Sequence, residues 1–281
     1  ATSGMFAAYN GHDRIVKLML ERGFDPEIKA LDGTNALMMA SQNGHLEVAR
    51  LLLVNGAKPD LQAADGYTAL MLASQNGHEE IVSLLLEYGA SPDMQDFRNG
   101  TTALIQASLF GNTYAAMLLL DSGADPNLSD NGGTSALMTA AMLGQTDYAK
   151  LLMASGADIN LKSSDGSNAL FLAAMNGHTD IVKTLLERGA RPDSLDTDGT
   201  SALVITARDD IADSISIKLY RGYNKDFSFS ENLTAMVATR DDGVLEAVNV
   251  TDRKGSLDDV IANSDRATAF IKAFRSGQVA V

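Results

Sequence analysis

The sequence predicts an all-α solenoid of stacked helix-turn-helix units with β-turn-like tips, and three observations predict it. A six-residue phrase returns at a near-constant spacing. A Gly-His pair, or a close variant of it, follows each copy at a fixed offset. A leucine-rich run ending in glycine closes each copy. Self-similarity at a period of a few tens of residues marks units that bury their apolar faces only by stacking.

The phrase reads DGTNAL at Asp32–Leu37, DGYTAL at Asp65–Leu70 and NGTTAL at Asn99–Leu104. It continues as GGTSAL at Gly132–Leu137, DGSNAL at Asp165–Leu170 and DGTSAL at Asp198–Leu203. The closing leucines are spaced by 33, 34, 33, 33 and 33 residues. Asp-Gly and Asn-Gly suit tight turns, because Gly accepts φ > 0 and Asp or Asn bonds its own backbone. The Thr or Ser beside the leucine is placed to cap a short helix. Ala40, Ala73, Ala107, Ala140 and Ala173 keep the inner face of that helix small.

Gly-His stands at Gly11–His12, Gly44–His45, Gly77–His78 and Gly177–His178, with Gly111–Asn112 and Gly144–Gln145 in the same slot. The glycine ends the first helix. The second opens with acids, including Glu47, Glu79, Glu80, Asp147 and Asp180, which suit the positive end of a helix dipole. Apolar residues such as Ile81, Val82, Leu84, Leu85 and Leu86 then form a core-facing stripe. Gly56, Gly89, Gly123, Gly156 and Gly189 cap its end, and Pro59, Pro92, Pro126 and Pro192 stop it.

Turn, short helix, second helix and a 33-residue period resemble the ankyrin-repeat family over roughly residues 1–222. The family's Thr-Pro-Leu-His motif reads here as Thr/Ser-Ala-Leu-Met or similar. Its Pro becomes Ala36, Ala69, Ala103, Ala136, Ala169 and Ala202; its His becomes Met38, Met71, Ile105, Met138, Phe171 and Val204. The resemblance implies that the family's histidine bond between turns is absent, so the turns are ordered by something else. The TALM wording is similar to that of many bacterial ankyrin proteins.

The expected organisation is one domain over 1–281: an N-terminal capping repeat at 1–31, six repeats over 32–222, and degenerate capping repeats at 223–281. Exposed solenoid ends need polar caps. Asn232–Val248 reads as a shortened helix pair with Gly243 between the helices. Gly255–Ile261 and a segment ending at Phe274 read as further helices.

Net charge is −14. Of the 36 acids and 22 bases, residues 207–281 carry 12 and 10, so the acidic excess lies on the repeats. Nucleic acid and anionic membrane surfaces both need Lys and Arg. The expected partner is another protein, neutral or basic, and the chain is expected to be a monomer when unbound. No run is long and apolar enough to span a membrane. The absence of cysteine removes disulfides and thiol chemistry and is compatible with an oxidising compartment. That composition and the Ala1 start point to a periplasmic or secreted protein, with the cytoplasm as the alternative.

No catalytic chemistry is expected. His12, His45, His78 and His178 occupy one slot of different repeats. Neighbouring helices lie roughly 10 Å apart, whereas zinc ligands sit about 2 Å from their ion. No nucleophile–base–acid set, phosphate loop or dinucleotide fingerprint occurs, so no metal or cofactor is expected.

The expected binding face combines the turn tips with the exposed end of each first helix, which in the resembled family form a concave surface. Before each slot glycine stand Tyr9–Asn10, Gln42–Asn43, Gln75–Asn76, Leu109–Phe110, Met142–Leu143 and Met175–Asn176. Leu109, Phe110, Met142 and Leu143 form an apolar centre, flanked by Asn43 and Asn76 and by the tip residues Tyr67, Phe97 and Arg98. Aromatics and arginine anchor interfaces. The function expected is a non-enzymatic module that occludes a partner protein, inhibiting or protecting a partner enzyme. The alternatives are a cytoplasmic adaptor linking two proteins and an exported effector acting on host proteins.

Overall fold

A computed structural model of the chain describes residues 2–191 and the strands at 235–239 and 245–249. The chain divides into two compact units, 1–164 and 165–281.

The first unit holds ten helices in five consecutive pairs. They are α1 (Ser3–Tyr9) with α2 (Asp13–Glu21), α3 (Ala36–Gln42) with α4 (Leu46–Val54), and α5 (Ala69–Asn76) with α6 (Glu79–Glu87). Then come α7 (Ala103–Phe110) with α8 (Thr113–Asp121) and α9 (Ala136–Met142) with α10 (Thr146–Ala154). Odd-numbered helices pack on odd and even on even, so the pairs build two layers. The spacing predicted this arrangement, and the apolar residues of the repeat supply its core. Leu37, Leu70, Leu104 and Leu137 are buried, as are the alanines at 40, 73, 107 and 140.

Each short helix begins where a polar side chain caps it. The amides of Met71, Ile105 and Met138 donate to the hydroxyls of Thr68, Thr102 and Ser135. In the first full repeat the capping residue is Asn35, whose Oδ1 accepts the Met38 amide at 2.9 Å. Helix α1, capped by Thr2, differs in its packing: Gly4 stands where the other repeats place leucine, and a Cβ there would lie 2.6 Å from the Phe24 ring. Phe24 in turn occupies the slot of Ala57, Ala90 and Ala124. Bulk has moved from one side of the contact to the other.

Four ladders order the repeats in place of the missing motif histidine. At the tips, the amides of Ala64, Phe97, Asn131 and Ser164 donate to the carbonyls of Asp32, Asp65, Asn99 and Gly132 at 2.7 to 2.9 Å. Beside them, Lys29 Nζ donates to Gln62 O, Gln62 Nε2 to Gln95 O, and Gln95 Nε2 to Ser129 O. In the outer turns, Glu27, Asp60, Asp93 and Asn127 accept the amides of Lys58, Ser91, Asp125 and Asp158. In the Gly-His slot, His45 Nε2 lies 2.9 Å from Tyr9 O and His78 Nε2 lies 3.1 Å from Gln42 O. Asn112 Nδ2 donates to Ser74 O and Gln75 O.

The Gly-His signature is therefore a contact between repeats. Gly44 has φ +77°, and a Cβ on it would meet the His78 ring at 2.7 Å. The glycine of one unit makes room for the histidine of the next. These histidines stand at N-cap positions, yet their side chains make no cap bond.

The second unit contains α11 (Ala169–Met175) and α12 (Thr179–Glu187), which pack together. Asn168 Oδ1 caps α11 by accepting the Phe171 amide at 2.9 Å. The unit also contains β1 (Ala235–Thr239) and β2 (Leu245–Asn249), paired antiparallel with Val237 opposite Ala247. This corrects the helix pair expected over Asn232–Val248. Val237, Thr239 and Val248 bring β-branched bulk suited to strands, and Asp242–Gly243 between the strands is a hairpin dipeptide. The sixth phrase at Asp198–Leu203 and the helices expected at Gly255–Ile261 and up to Phe274 lie outside the described residues. No helix among the described residues is long and apolar enough to cross a membrane.

Candidate functional site

The expected binding residues all fall in the first unit, at two places. The first is the end of the short helices. Leu109 and Phe110 close α7 and are 41% and 57% exposed. Leu143 follows α9 as its C-cap and is 44% exposed, beside half-buried Met142. Because α7 and α9 are packed neighbours, the two ends stand roughly one helix diameter apart. The local reason for exposure is the turn into the second helix. The next glycine takes a left-handed conformation and the chain reverses, so the two residues before it face outward.

Asn43 and Asn76 occupy the same slots on α3 and α5, but their amides serve the fold. Asn43 Nδ2 donates to Met39 O and Asn76 Nδ2 to Leu72 O, both at 2.8 Å. Each satisfies a carbonyl at the end of its own helix. Their Oδ1 atoms are what such a surface can offer a partner. Phe110 and Leu143 replace these capping asparagines, exchanging a helix-end bond for exposed apolar area.

The second place is the turn before α7. Phe97 is 64% exposed and lies over Gly66, where a Cβ would come within 2.3 Å of the Phe97 amide nitrogen. Arg98 Nη2 stands 3.7 Å from Asp65 Oδ2. Tyr67 is half-buried, and its hydroxyl accepts a 2.7 Å bond from Gln106 Nε2 on α7. Burial and the nearby Asp96 charge push the Tyr67 phenol above its ordinary value, so it is neutral at pH 7.

Behind this tip lies a buried polar group that sequence reasoning missed. Asp96 accepts the amides of Arg98, Asn99 and Thr101 and the Thr101 hydroxyl. Gln106 Nε2 also donates to Thr101 Oγ1. Burial alone would raise the Asp96 carboxyl, but these bonds outweigh it and hold it below its ordinary value. The repeat that carries this network is the one with 34 residues rather than 33, and the odd spacing was the available signal. The bonds are saturated within the protein, so the network fixes the tip.

The tip and the helix-end patch do not meet. They mark opposite ends of α7, an eight-residue helix roughly 12 Å long. Tyr114, 60% exposed near the start of α8, stands four residues past Phe110 across the bend and was also missed. Its slot holds Glu47, Glu80 and Asp147 in neighbouring repeats, and that break in an acidic row was the signal for it.

Comparison with known proteins agrees with this geometry. A family model described as ankyrin repeats, in three copies, matches residues 5–96, 91–163 and 155–227. The ankyrin repeat domain of human ASB11 superposes with a TM-score of 0.69 at 23% identity, over 74% of this chain and 93% of that one. The ankyrin repeat domain of Bcl-3, of the IkappaB protein family, gives 0.65 at 27% identity, over 73% of this chain and 93% of that one. No curated protein matches the sequence. A matched stretch running from residue 5 to 227, with paired helices and hydrogen-bonded turn tips throughout its first unit, places the chain in the ankyrin-repeat family.

Proposed function

We propose that this chain is a non-enzymatic binding module that covers a partner protein through the exposed ends of α7 and α9, inhibiting or shielding a partner enzyme. The observation that carries the reading is the exposure of Leu109, Phe110 and Leu143 in slots where the two repeats before α7 hold Gln42, Asn43, Gln75 and Asn76. Apolar area clustered on a rigid wall favours association, because little is lost to ordering on binding. A net charge of −14 supports a neutral or basic protein as partner and speaks against nucleic acid. The lack of cysteine supports a periplasmic or secreted location.

The test compares the wild-type chain with Phe110→Asp and Leu143→Asp in quantitative capture, followed by calorimetry on the partner recovered. Each variant is expected to weaken binding about tenfold or more while keeping the wild-type melting temperature. If both keep the wild-type partners at wild-type affinity, the patch is not the binding surface. The separation of the Tyr67–Phe97–Arg98 tip from this patch favours an adaptor as second reading. A partner lost on Phe97→Asp and retained on Phe110→Asp supports it.

A further inference from the structure

The acidic slot two residues past the Gly-His position describes a charge pattern around the patch. It holds Glu47, Glu80, Tyr114 and Asp147 in successive repeats. Two of these acids are already balanced: Glu47 lies 3.8 Å from Arg50 and Asp147 lies 3.7 Å from Lys150. Glu80 is not. The residue matching Arg50 and Lys150 is Ser83, whose hydroxyl donates to Glu87 instead. Glu79 precedes Glu80, and neither forms an ion pair among the described residues. Helices α6 and α8 are packed neighbours, so this uncompensated pair sits roughly 10 Å from Tyr114. On the other side, α10 offers a single acid, Asp147, with Lys150 beside it at 3.7 Å.

We propose that the patch formed by Phe110, Tyr114 and Leu143 receives an apolar anchor of a partner segment that also carries lysine or arginine, directed toward Glu79 and Glu80. This rests on the reading of the patch as a binding surface and adds the partner's chemistry. The distance corresponds to about three residues of extended chain. A cation at that spacing meets the Glu79–Glu80 side, while an acid there is repelled. The polarity of the site fixes which way the segment lies. Apolar contact supplies the affinity and the charge pair selects the partner.

The probes are short synthetic peptides with a Leu-Phe-Leu core and pairs of Lys, Ser or Glu about three residues to either side. Their binding is read by fluorescence anisotropy against the wild-type chain, Phe110→Asp, Tyr114→Glu and the double variant Glu79→Lys with Glu80→Lys. The Lys-flanked peptide is expected to bind wild type about tenfold tighter than the Glu-flanked one, with the preference falling at high salt. The double variant is expected to reverse it. Tyr114→Glu installs the residue type that neighbouring repeats carry at that slot, so it preserves the fold and is expected to weaken every peptide. Equal binding of the three peptides, still lost on Phe110→Asp, overturns the charge assignment and leaves the binding surface standing. Binding that ignores Phe110→Asp, or no binding at all, overturns both.

Discussion

Asp96 carries more of its turn than any neighbouring side chain, because one carboxylate collects three amides and a hydroxyl. Its folded pKa lies below the ordinary value. The stabilisation is therefore fully present above the unfolded pKa, near 3.9, and is lost as pH falls through the folded value. Asp96→Asn is expected to cost about 2 kcal/mol near neutral pH, where an acceptor facing several amides becomes partly a donor. The gap between variant and wild type should narrow as urea titrations are moved from about pH 7 to about pH 3. A gap unchanged across that range would show that the charge contributes nothing. At this scale the sequence was only partly legible. Leu109, Phe110, Phe97 and Leu143 are exposed as their slots suggested, whereas Asn43 and Asn76 resemble contact residues in sequence and turn out to bond their own helices. A side chain's nearest carbonyl does not show in a string of letters.

The helices and turns were easier to read, since their signals are local. Caps at Thr68, Thr102 and Ser135 stand where their residue types belong, and Asn35 and Asn168 perform the same task. The turns demand more than propensity. Gly66 has φ +90° and its missing side chain leaves space for the backbone of Phe97 in the following repeat. Gly66→Ala combines an unfavourable backbone conformation with a collision against main chain, which cannot rotate away. It is expected to lower stability by at least about 2 kcal/mol and to shift the amide resonances of Phe97 and Arg98. A variant as stable as wild type would mean that the tip relaxes freely. The paired strands at Ala235–Thr239 and Leu245–Asn249 were the misreading at this scale. The leucine and glycine markers of the repeat stop before this stretch, and Val237 and Thr239 stand at the alternate positions of a strand.

Across the molecule, one period sets where material is conserved in kind and where it is free to differ. The buried leucines and alanines recur, and the ladders between turns recur with them. The exposed slots vary, and variation there was the sign that pointed to a binding face. The histidine rung had no such sign, because its acceptor lies in the preceding unit, about 36 residues away. Only the stacked structure brings the two together.

That rung changes at one junction. Gln145 takes the place of histidine there, and its Oε1 is buried without a hydrogen-bond partner among the described residues. The neighbouring units stay joined through their tips and through Tyr148, whose hydroxyl reaches Leu104 O at 2.9 Å. The bend that Gln145 faces is the one after α7, the stretch bearing Leu109 and Phe110. Its backbone keeps the bonds of Gly111 N to Ser108 O and Asn112 N to Ala107 O, but it has no imidazole from the following repeat like those that reach Tyr9 O and Gln42 O. Amide hydrogen exchange should run faster at 109–112 than at 42–45. Installing a histidine by Gln145→His should slow it.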